Sequence, residues 1–358
     1  MPLLQNKIDR VRAQLRRHGA DAVLITALPD IRWACGFTGS NALLIVGRDE
    51  AHFASDGRYL AQAEREVRGA TVHIPDSGLL KHAANAGLLG GAATVLFQSD
   101  HLTVDQYDEL EERFPDVEWK PVAQLLSEEV AAKDAGEIQR VREAQAVTDD
   151  VFAHLCEWIE PGMAEREIAA EIVYQHLKRG AEKMSFEPIV ASGPNASLPH
   201  ARPTGRKLRR RDLVVIDMGG FVNGYASDMT RTIAIGPPSE EARASYEAVR
   251  AAQERAIEAA HAGMTGAELD AVARGVLDEA GLGNYFTHSL GHGIGLQTHE
   301  WPRLSQRVEH TLPEGATVTI EPGVYVRERY GIRIEDIVVL RADGCENLTR
   351  SPKELIVL

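Results

Sequence analysis

Two pairs of acidic side chains, each in a strand-turn-strand pattern, are the residues of this sequence best suited to chemistry. The first pattern, LVVIDMGGFVNGYASD, contains Asp217 and Asp228. We expect a turn centred between Val222 and Asn223, which would place the two aspartates directly opposite each other. A turn centred on Asn223 and Gly224 would instead make them diagonal neighbours. Opposed carboxylates repel, so a bound cation is one reason for a fold to keep them together.

A second stretch repeats this arrangement. The segment TVTIEPGVYV is followed by the predicted hairpin tip RERYG and then by the segment IRIEDIVVL. A turn centred on Glu328 would pair Glu321 with Glu335. A single acidic pair is most simply explained as a solvated strand end. Two such pairs on two hairpins favour a shared metal site instead.

Three histidines lie between these hairpins. His288, His292 and His299 all fall within the glycine-rich segment THSLGHGIGLQTHEWP. Four carboxylates and one imidazole suit divalent manganese, cobalt, iron or magnesium better than a structural zinc site, which prefers thiolates and imidazoles. Four clustered negative charges imply more than one cation. Two metal ions about 3.5–4 Å apart, sharing a water or hydroxide, are the usual hydrolytic arrangement.

Arg333 is a further candidate because it precedes Glu335 by two residues. Strand neighbours at this spacing share a face, so its guanidinium should point towards the same centre. There it could orient a carboxylate or bind a substrate carboxylate through two hydrogen bonds. The competing interpretation is an ion pair that faces solvent.

Length and composition restrict the class of protein. A chain of 358 residues is too long for one ordinary core and predicts two domains. Its 39 basic and 53 acidic residues give a net charge of −14, which argues against nucleic acid or an anionic membrane as a partner. Three widely spaced cysteines favour a reducing compartment. Without a signal-peptide pattern or a long apolar run, the sequence predicts a cytoplasmic, enzyme-like protein.

Strand and helix patterns alternate in the first third of the chain, which predicts a layered α/β domain. We place its boundary within residues 125–135. The rest of the chain is predicted to contain long helices and strand-turn patterns, and the predicted helices cover 137–160, 164–179, 239–260 and 266–280. These elements must position the acids and histidines.

The five residues Asp217, Asp228, His292, Glu321 and Glu335, in this order and spacing, resemble the ligands of the dinuclear metallopeptidases with the pita-bread fold. The motifs VVIDMGGFVNGYASDMTRT, HSLGHGIG, TIEPGVY and GIRIED carry this resemblance. The family includes methionine aminopeptidase, aminopeptidase P and prolidase. GFTGSNALLIV and DGRYLAQA in the N-terminal part are similar to bacterial Xaa-Pro peptidases.

The resemblance implies an α/β (α+β) fold in two domains. Residues 1–130 would form a layered α/β domain with roles in substrate gating and oligomerisation. Residues 131–358 would form the pita-bread catalytic domain with a curved antiparallel sheet. A homodimer is expected, in which the segment around Asp56 and Tyr59 of a partner subunit either narrows the active-site entrance or is only a structural turn.

The resemblance also implies roles for single residues. Two divalent metal ions, Mn²⁺ or Co²⁺ with Zn²⁺ or Fe²⁺ as alternatives, would hold a hydroxide that attacks the Xaa-Pro carbonyl. Glu321 would pass a proton to the leaving proline nitrogen. His288 and His299 would contact substrate and stabilise the tetrahedral intermediate. His200, in SLPHARP, and Arg333 would also bind substrate.

The expected activity is hydrolysis of Xaa-Pro dipeptides or removal of the first residue from short peptides with proline second. Two alternatives share the fold: a metal-independent, creatinase-like hydrolase and a non-catalytic binding scaffold. The five filled ligand positions argue against both of them.

Overall fold

The computed structural model describes residues 2–358 of the chain. The chain divides into two compact units, Met1–Val130 and Ala131–Leu358. Among the described residues, no helix is both long and apolar enough to cross a bilayer.

The helices are α1 Pro2–His18, α2 Leu28–Cys35, α3 Leu60–Glu66, α4 Leu79–Asn85, α5 Val104–Arg113, α6 Ser127–Ala131, α7 Ala135–Trp158, α8 Glu165–Lys178, α9 Glu240–Ala259 and α10 Gly266–Glu279. The strands are β1 Ala22–Ile25, β2 Leu43–Gly47, β3 Ala51–Ala54, β4 Thr71–His73, β5 Thr94–Gln98, β6 Glu118–Val122, β7 Lys183–Met184, β8 Ile189–Ser192, β9 Leu213–Met218, β10 Gly220–Val222, β11 Tyr225–Ala226, β12 Met229–Ala234, β13 Gly291–Gly293, β14 Glu300–Leu304, β15 Thr317–Ile320, β16 Gly323–Val326, β17 Tyr330–Arg333, β18 Asp336–Arg341 and β19 Gly344–Asn347.

The N-terminal unit is built on a six-stranded mixed sheet in the order β4-β3-β2-β1-β5-β6. Strands β1, β5 and β6 run parallel, whereas β1, β2 and β3 pair antiparallel. In its hydrophobic core, Leu24 of β1, Phe97 of β5 and Leu110 of α5 pack in one cluster. This is the layered α/β arrangement that the alternating sequence pattern predicts.

The second unit contains two similar combinations of a sheet and a helix pair. Strands β8, β9 and β12 form an antiparallel sheet covered by α7 and α8, where Val151 and Ile168 pack on Val214 and Ile216. Strands β14, β13, β15, β18 and β19 form the other sheet. Its core residues pack with those of α9 and α10. Apolar side chains beneath each sheet therefore hold the strands that carry the predicted site.

Helix α7 shows why the sequence pattern located a helix here. The Asp134 side chain accepts hydrogen bonds from the amides of Gly136 and Glu137, and Glu137 bonds back to the Asp134 amide. This capping box begins the helix two residues before the predicted start. The helix ends at Trp158, shortly before Pro161.

The predicted register of the first hairpin is wrong by one step. Asp217 pairs with Thr230, and Val222 pairs with Tyr225, so the turn is centred on Asn223 and Gly224. Both turn residues have positive φ, 51° and 73°, as a type I′ turn requires. Asp217 and Asp228 are consequently diagonal neighbours, which is the alternative that the sequence left open.

The predicted register of the second hairpin is confirmed. Gly323 pairs with Arg333 in one strand pair, and Ile320 pairs with Asp336 in the neighbouring pair. Glu321 and Glu335 lie between these two pairings, at the point where the chain passes from one sheet to the next. Glu328 sits at the tip with φ 58°.

Candidate active site

All of the predicted site residues line a single cavity of about 410 Å³ in the second unit. They are Asp217, Asp228, His292, Glu321, Glu335, His200, His288, His299 and Arg333.

Backbone hydrogen bonds bring the separate acidic segments together. The Glu335 amide donates to the Thr230 carbonyl at 3.1 Å, and the Glu321 amide donates to the Leu290 carbonyl at 2.8 Å. The first bond joins the β18 segment to β12, and the second joins the β15 segment to the residues just before His292. Strand pairing therefore fixes the mutual positions of the candidate ligands.

His292 faces the acids with an unprotonated nitrogen. Its Nδ1 donates to the Gly293 carbonyl at 3.0 Å, because a carbonyl can only accept. Its Nε2 lies 3.7 Å from Asp228 Oδ2 and 3.4 Å from Glu321 Oε1. Burial lowers the pKa of His292 to about 3, so the ring is neutral and Nε2 is available as a metal ligand. One ligand atom each from Asp228, His292 and Glu335 lies within 4.8 Å of the other two.

Asp217 has one satisfied and one unsatisfied oxygen. Its Oδ2 accepts a hydrogen bond from Arg333 Nη2. Its Oδ1 is buried and has no hydrogen-bond partner within residues 2–358. A buried carboxylate oxygen without a partner is costly, and a cation would relieve that cost.

Clustering also raises the pKa of the carboxyl groups. Burial and then repulsion from Glu335, Asp217 and Glu321 raise the pKa of Asp228 well above its usual range. Burial, and then repulsion from Glu321 and Asp217, likewise raises the pKa of Glu335 well above its usual range. Burial raises the pKa of Glu321 to about 7 despite the nearby arginine. These groups fit divalent cations, which would replace the protons, and the oxygen-rich donor set suits hard or borderline metal ions.

Arg333 is buried, with a side chain 5% exposed, and it donates in several directions. Besides Asp217, it bonds to Thr230 Oγ1 at 2.9 Å, the Tyr325 hydroxyl at 2.8 Å and the Pro199 carbonyl at 3.2 Å. The expected orientation towards the acidic centre is correct. The ion pair that it forms is buried and does not face solvent.

The other predicted histidines line the cavity in different ways. His288 donates from Nδ1 to the Ser289 carbonyl at 2.8 Å, which leaves Nε2 to accept from the Tyr325 hydroxyl at 3.0 Å. Burial lowers the pKa of His288 to about 4. His299 packs its ring edge-on against His292, with 4.3 Å between centroids. His200 is exposed at the cavity wall.

Three further residues at this cavity or its border were not predicted from the sequence: Tyr325, Arg202 and Arg303. Tyr325 links Arg333 to His288, and the confirmed hairpin register places it on the same face as Arg333, so this signal was present in the sequence. Arg202 and Arg303 line the cavity with exposed side chains. Arg303 stands opposite His292 in the β13–β14 pairing, which no local pattern predicts.

Known proteins match the whole chain. A model of metallopeptidase family M24 matches residues 139–342, and a model of the creatinase/prolidase N-terminal domain matches residues 7–129. The Xaa-Pro dipeptidase of Pyrococcus horikoshii is 36% identical over 358 residues, covering 99% of this chain and 100% of that protein.

Solved structures agree with these matches. The Xaa-Pro dipeptidase from Bacillus anthracis is similar with a TM-score of 0.96 and 36% identity, covering 99% of this chain and 100% of that one. The X-Pro aminopeptidase from Thermotoga maritima gives a TM-score of 0.90 at 35% identity, covering 97% and 100%. These similarities confirm the two-domain pita-bread fold and the predicted resemblance. The chain therefore belongs to metallopeptidase family M24.

Proposed function

We propose that this protein is an Xaa-Pro dipeptidase that depends on divalent metal ions. The observation that carries this proposal is the single cavity in which four carboxylates, a neutral imidazole and an unpartnered buried aspartate oxygen converge. The relatives named as Xaa-Pro dipeptidases support it over the full length of the chain. A creatinase-like or scaffold role is not favoured, because every ligand position is filled.

Asp217, Asp228, His292, Glu321 and Glu335 would hold two ions, Mn²⁺ or Co²⁺, with Zn²⁺ or Fe²⁺ as alternatives. Bound ions of this kind activate water at neutral pH and polarise a peptide carbonyl.

The chain's own groups would support that chemistry from several sides. Arg333 holds one oxygen of Asp217, so the other oxygen keeps a fixed direction. Glu321, which lines the same cavity, would carry a proton to the leaving nitrogen, as the resemblance implies. His299 and His200 would contact the substrate directly. His288 would act together with Tyr325, to which it is hydrogen-bonded.

Proline presents a particular problem to a peptidase. Its nitrogen carries no hydrogen and its ring is fixed, so recognition through a backbone N–H at this position is impossible. In a dipeptide the free carboxylate is attached directly to the proline ring. Arg202 and Arg303 line the cavity, and neither has an ion-pair partner in the described part of the chain. We infer that these cations bind that carboxylate, which favours dipeptides over longer peptides.

The test compares Leu-Pro, Leu-Pro-amide and Leu-Pro-Gly after the purified protein has been stripped with a chelator and reloaded with Mn²⁺ or Co²⁺. We expect hydrolysis only after reloading, with the highest kcat/KM for Leu-Pro. Arg303→Gln should reduce the preference for the free acid over the amide, whereas Arg209→Gln, at an exposed position outside the cavity, should not. Faster cleavage of the tripeptide would make the protein an aminopeptidase. Absence of any Xaa-Pro hydrolysis would refute the proposal.

We also propose a homodimer in a reducing, cytoplasmic compartment, with residues 1–130 as a domain that gates substrate entry and residues 131–358 as the catalytic domain. Light scattering during gel filtration tests the dimer. A monomer with full activity would exclude a gating role for a partner subunit.

A further inference from the structure

Glu165, the first residue of α8, is a carboxylate that the mechanism above does not use. It is 0% exposed. Burying a charged group is costly unless hydrogen bonds satisfy it, so its presence requires an explanation. No ion pair involving Glu165 occurs within residues 2–358, and its partners are instead neutral donors.

These donors come from one segment, residues 192–204, with Ser192 and Asn195 near its start and Thr204 at its end. Oε1 accepts from the Ser192 amide at 2.8 Å, the Ser192 hydroxyl at 2.7 Å and the Asn195 amide group at 3.1 Å. Oε2 accepts from the same Asn195 group at 3.0 Å, the Thr204 amide at 3.0 Å and the Thr204 hydroxyl at 2.6 Å. Burial alone would raise the pKa of Glu165, but these hydrogen bonds lower it below its ordinary value, so the group is ionised.

The segment that Glu165 holds forms a wall of the candidate active site. Pro199, His200 and Arg202 of this segment line the cavity. The Pro199 carbonyl accepts a hydrogen bond from Arg333, the residue that also binds Asp217. The segment lies tightly against β17, since a Cβ atom at Gly331 would come within 1.8 Å of the Ala196 carbonyl oxygen. A small displacement of the wall would therefore be transmitted to groups that face the substrate.

We propose that Glu165 is a positioning residue for substrate binding, which fixes the cavity wall of residues 192–204 and with it His200 and the Pro199 carbonyl. The inference rests on the proposed function, because it assigns the wall to the substrate side of that same site. Glu165 touches none of the five candidate metal ligands. Its loss should therefore affect substrate binding much more than metal binding.

The test is Glu165→Gln, which keeps the size of the side chain but places an NH₂ group among donors. In the Mn²⁺-loaded protein we expect KM for Leu-Pro to rise about tenfold or more, while kcat changes less than about threefold. The reason is that the variant loses well-oriented hydrogen bonds that hold the substrate-binding wall in place. Metal content should match the wild type. Glu167→Gln is the matched control: it makes the same chemical change two residues away, at an exposed helix cap outside this network.

A second measurement does not depend on activity. Hydrogen–deuterium exchange in Glu165→Gln should be faster in residues 192–204 and unchanged in β9 and β12, which carry or adjoin the aspartates.

If this variant does not fold, Thr204→Val removes one hydroxyl donor with little change of shape and should give a smaller shift of KM in the same direction. If the wild-type protein cleaves no Xaa-Pro peptide, the proposed function is refuted. The exchange measurement then decides by itself whether Glu165 positions residues 192–204.

Two outcomes overturn the proposal. One is an unchanged KM with normal exchange in residues 192–204. The other is a parallel loss of kcat, metal content and protection throughout the unit, which would make Glu165 a general structural residue.

Discussion

Glu335 is the acidic residue whose environment argues most directly for a metal ligand. Its Oε2 accepts from the Thr230 hydroxyl at 2.7 Å, and it lies beside Asp228 and His292 in the ligand cluster. Glu335→Gln keeps the shape and the hydrogen bond but removes the charge. We expect metal content below one ion per chain and a loss of kcat/KM on the order of a thousandfold or more, because ligands of one centre act as a unit.

Elemental analysis and Leu-Pro hydrolysis measure these quantities. Glu346→Gln is a suitable control, since Glu346 pairs with Arg142 and Arg341 at the surface. Full metal content in Glu335→Gln would remove Glu335 from the ligand set.

His299 should behave differently from the ligands. Its ring contacts His292 edge-on, but it is exposed at the cavity and lies outside the cluster of Asp228, His292 and Glu335. His299→Gln should keep the metal ions and lower kcat about a hundredfold, which is typical for the loss of a group that assists proton transfer or stabilises charge. Equal loss of metal in His299→Gln and Glu335→Gln would place His299 among the ligands instead.

Individual elements differ in how far local sequence fixes them. The second hairpin register follows from its tip, and it correctly places Glu321 near Glu335. The first register was shifted, because the turn uses Asn223 and Gly224 with positive φ, and the alternating apolar pattern alone does not fix the turn type. Turn chemistry, the preference of Asn-Gly for type I′, was the better guide.

Gly224→Ala tests the importance of this turn. At φ 73° a Cβ atom is strained, so we expect the free energy of unfolding in urea to fall by about 1–2 kcal/mol. Gly275→Ala is the opposite control, because Gly275 is exposed inside α10 with open space around it, and alanine there should stabilise by up to about 1 kcal/mol. Equal effects of the two substitutions would show that backbone conformation does not determine the outcome.

For the whole molecule, the shared acidic centre should make the stability of the metal-free protein depend on pH. The pKa of Glu321 is raised to about 7, and those of Asp228 and Glu335 are raised well above their ordinary values. Between pH 6.5 and 8 the folded protein thus binds protons that the unfolded chain has already released. Its free energy of unfolding should therefore fall as pH rises, by about 1.4 kcal/mol per pH unit for each proton that the folded protein holds and the unfolded chain does not.

Urea unfolding in chelator at pH 6.5 and pH 8 measures this slope. Mn²⁺ should flatten it, because the ions replace the protons, and Glu335→Gln without metal should be more stable than the wild type at pH 8. A metal-free wild type that gains stability over this range would mean that the carboxyl groups are ionised and not mutually destabilising.

The sequence by itself determined the local features: the helices, the alternating strands, the tip of the second hairpin, and the acids and histidines that belong to one type of hydrolytic centre. These follow from interactions between residues that are near each other in the chain.

Only the tertiary structure decided which groups meet across the chain. Strand pairing and the packing of α8 bring four pairs of groups together: Arg333 with Asp217, Tyr325 with His288, Arg303 with His292, and Glu165 with residues 192–204. Such contacts depend on burial and register between distant segments. A local pattern gave the face on which Arg333 and Tyr325 lie, but not the partners that they meet.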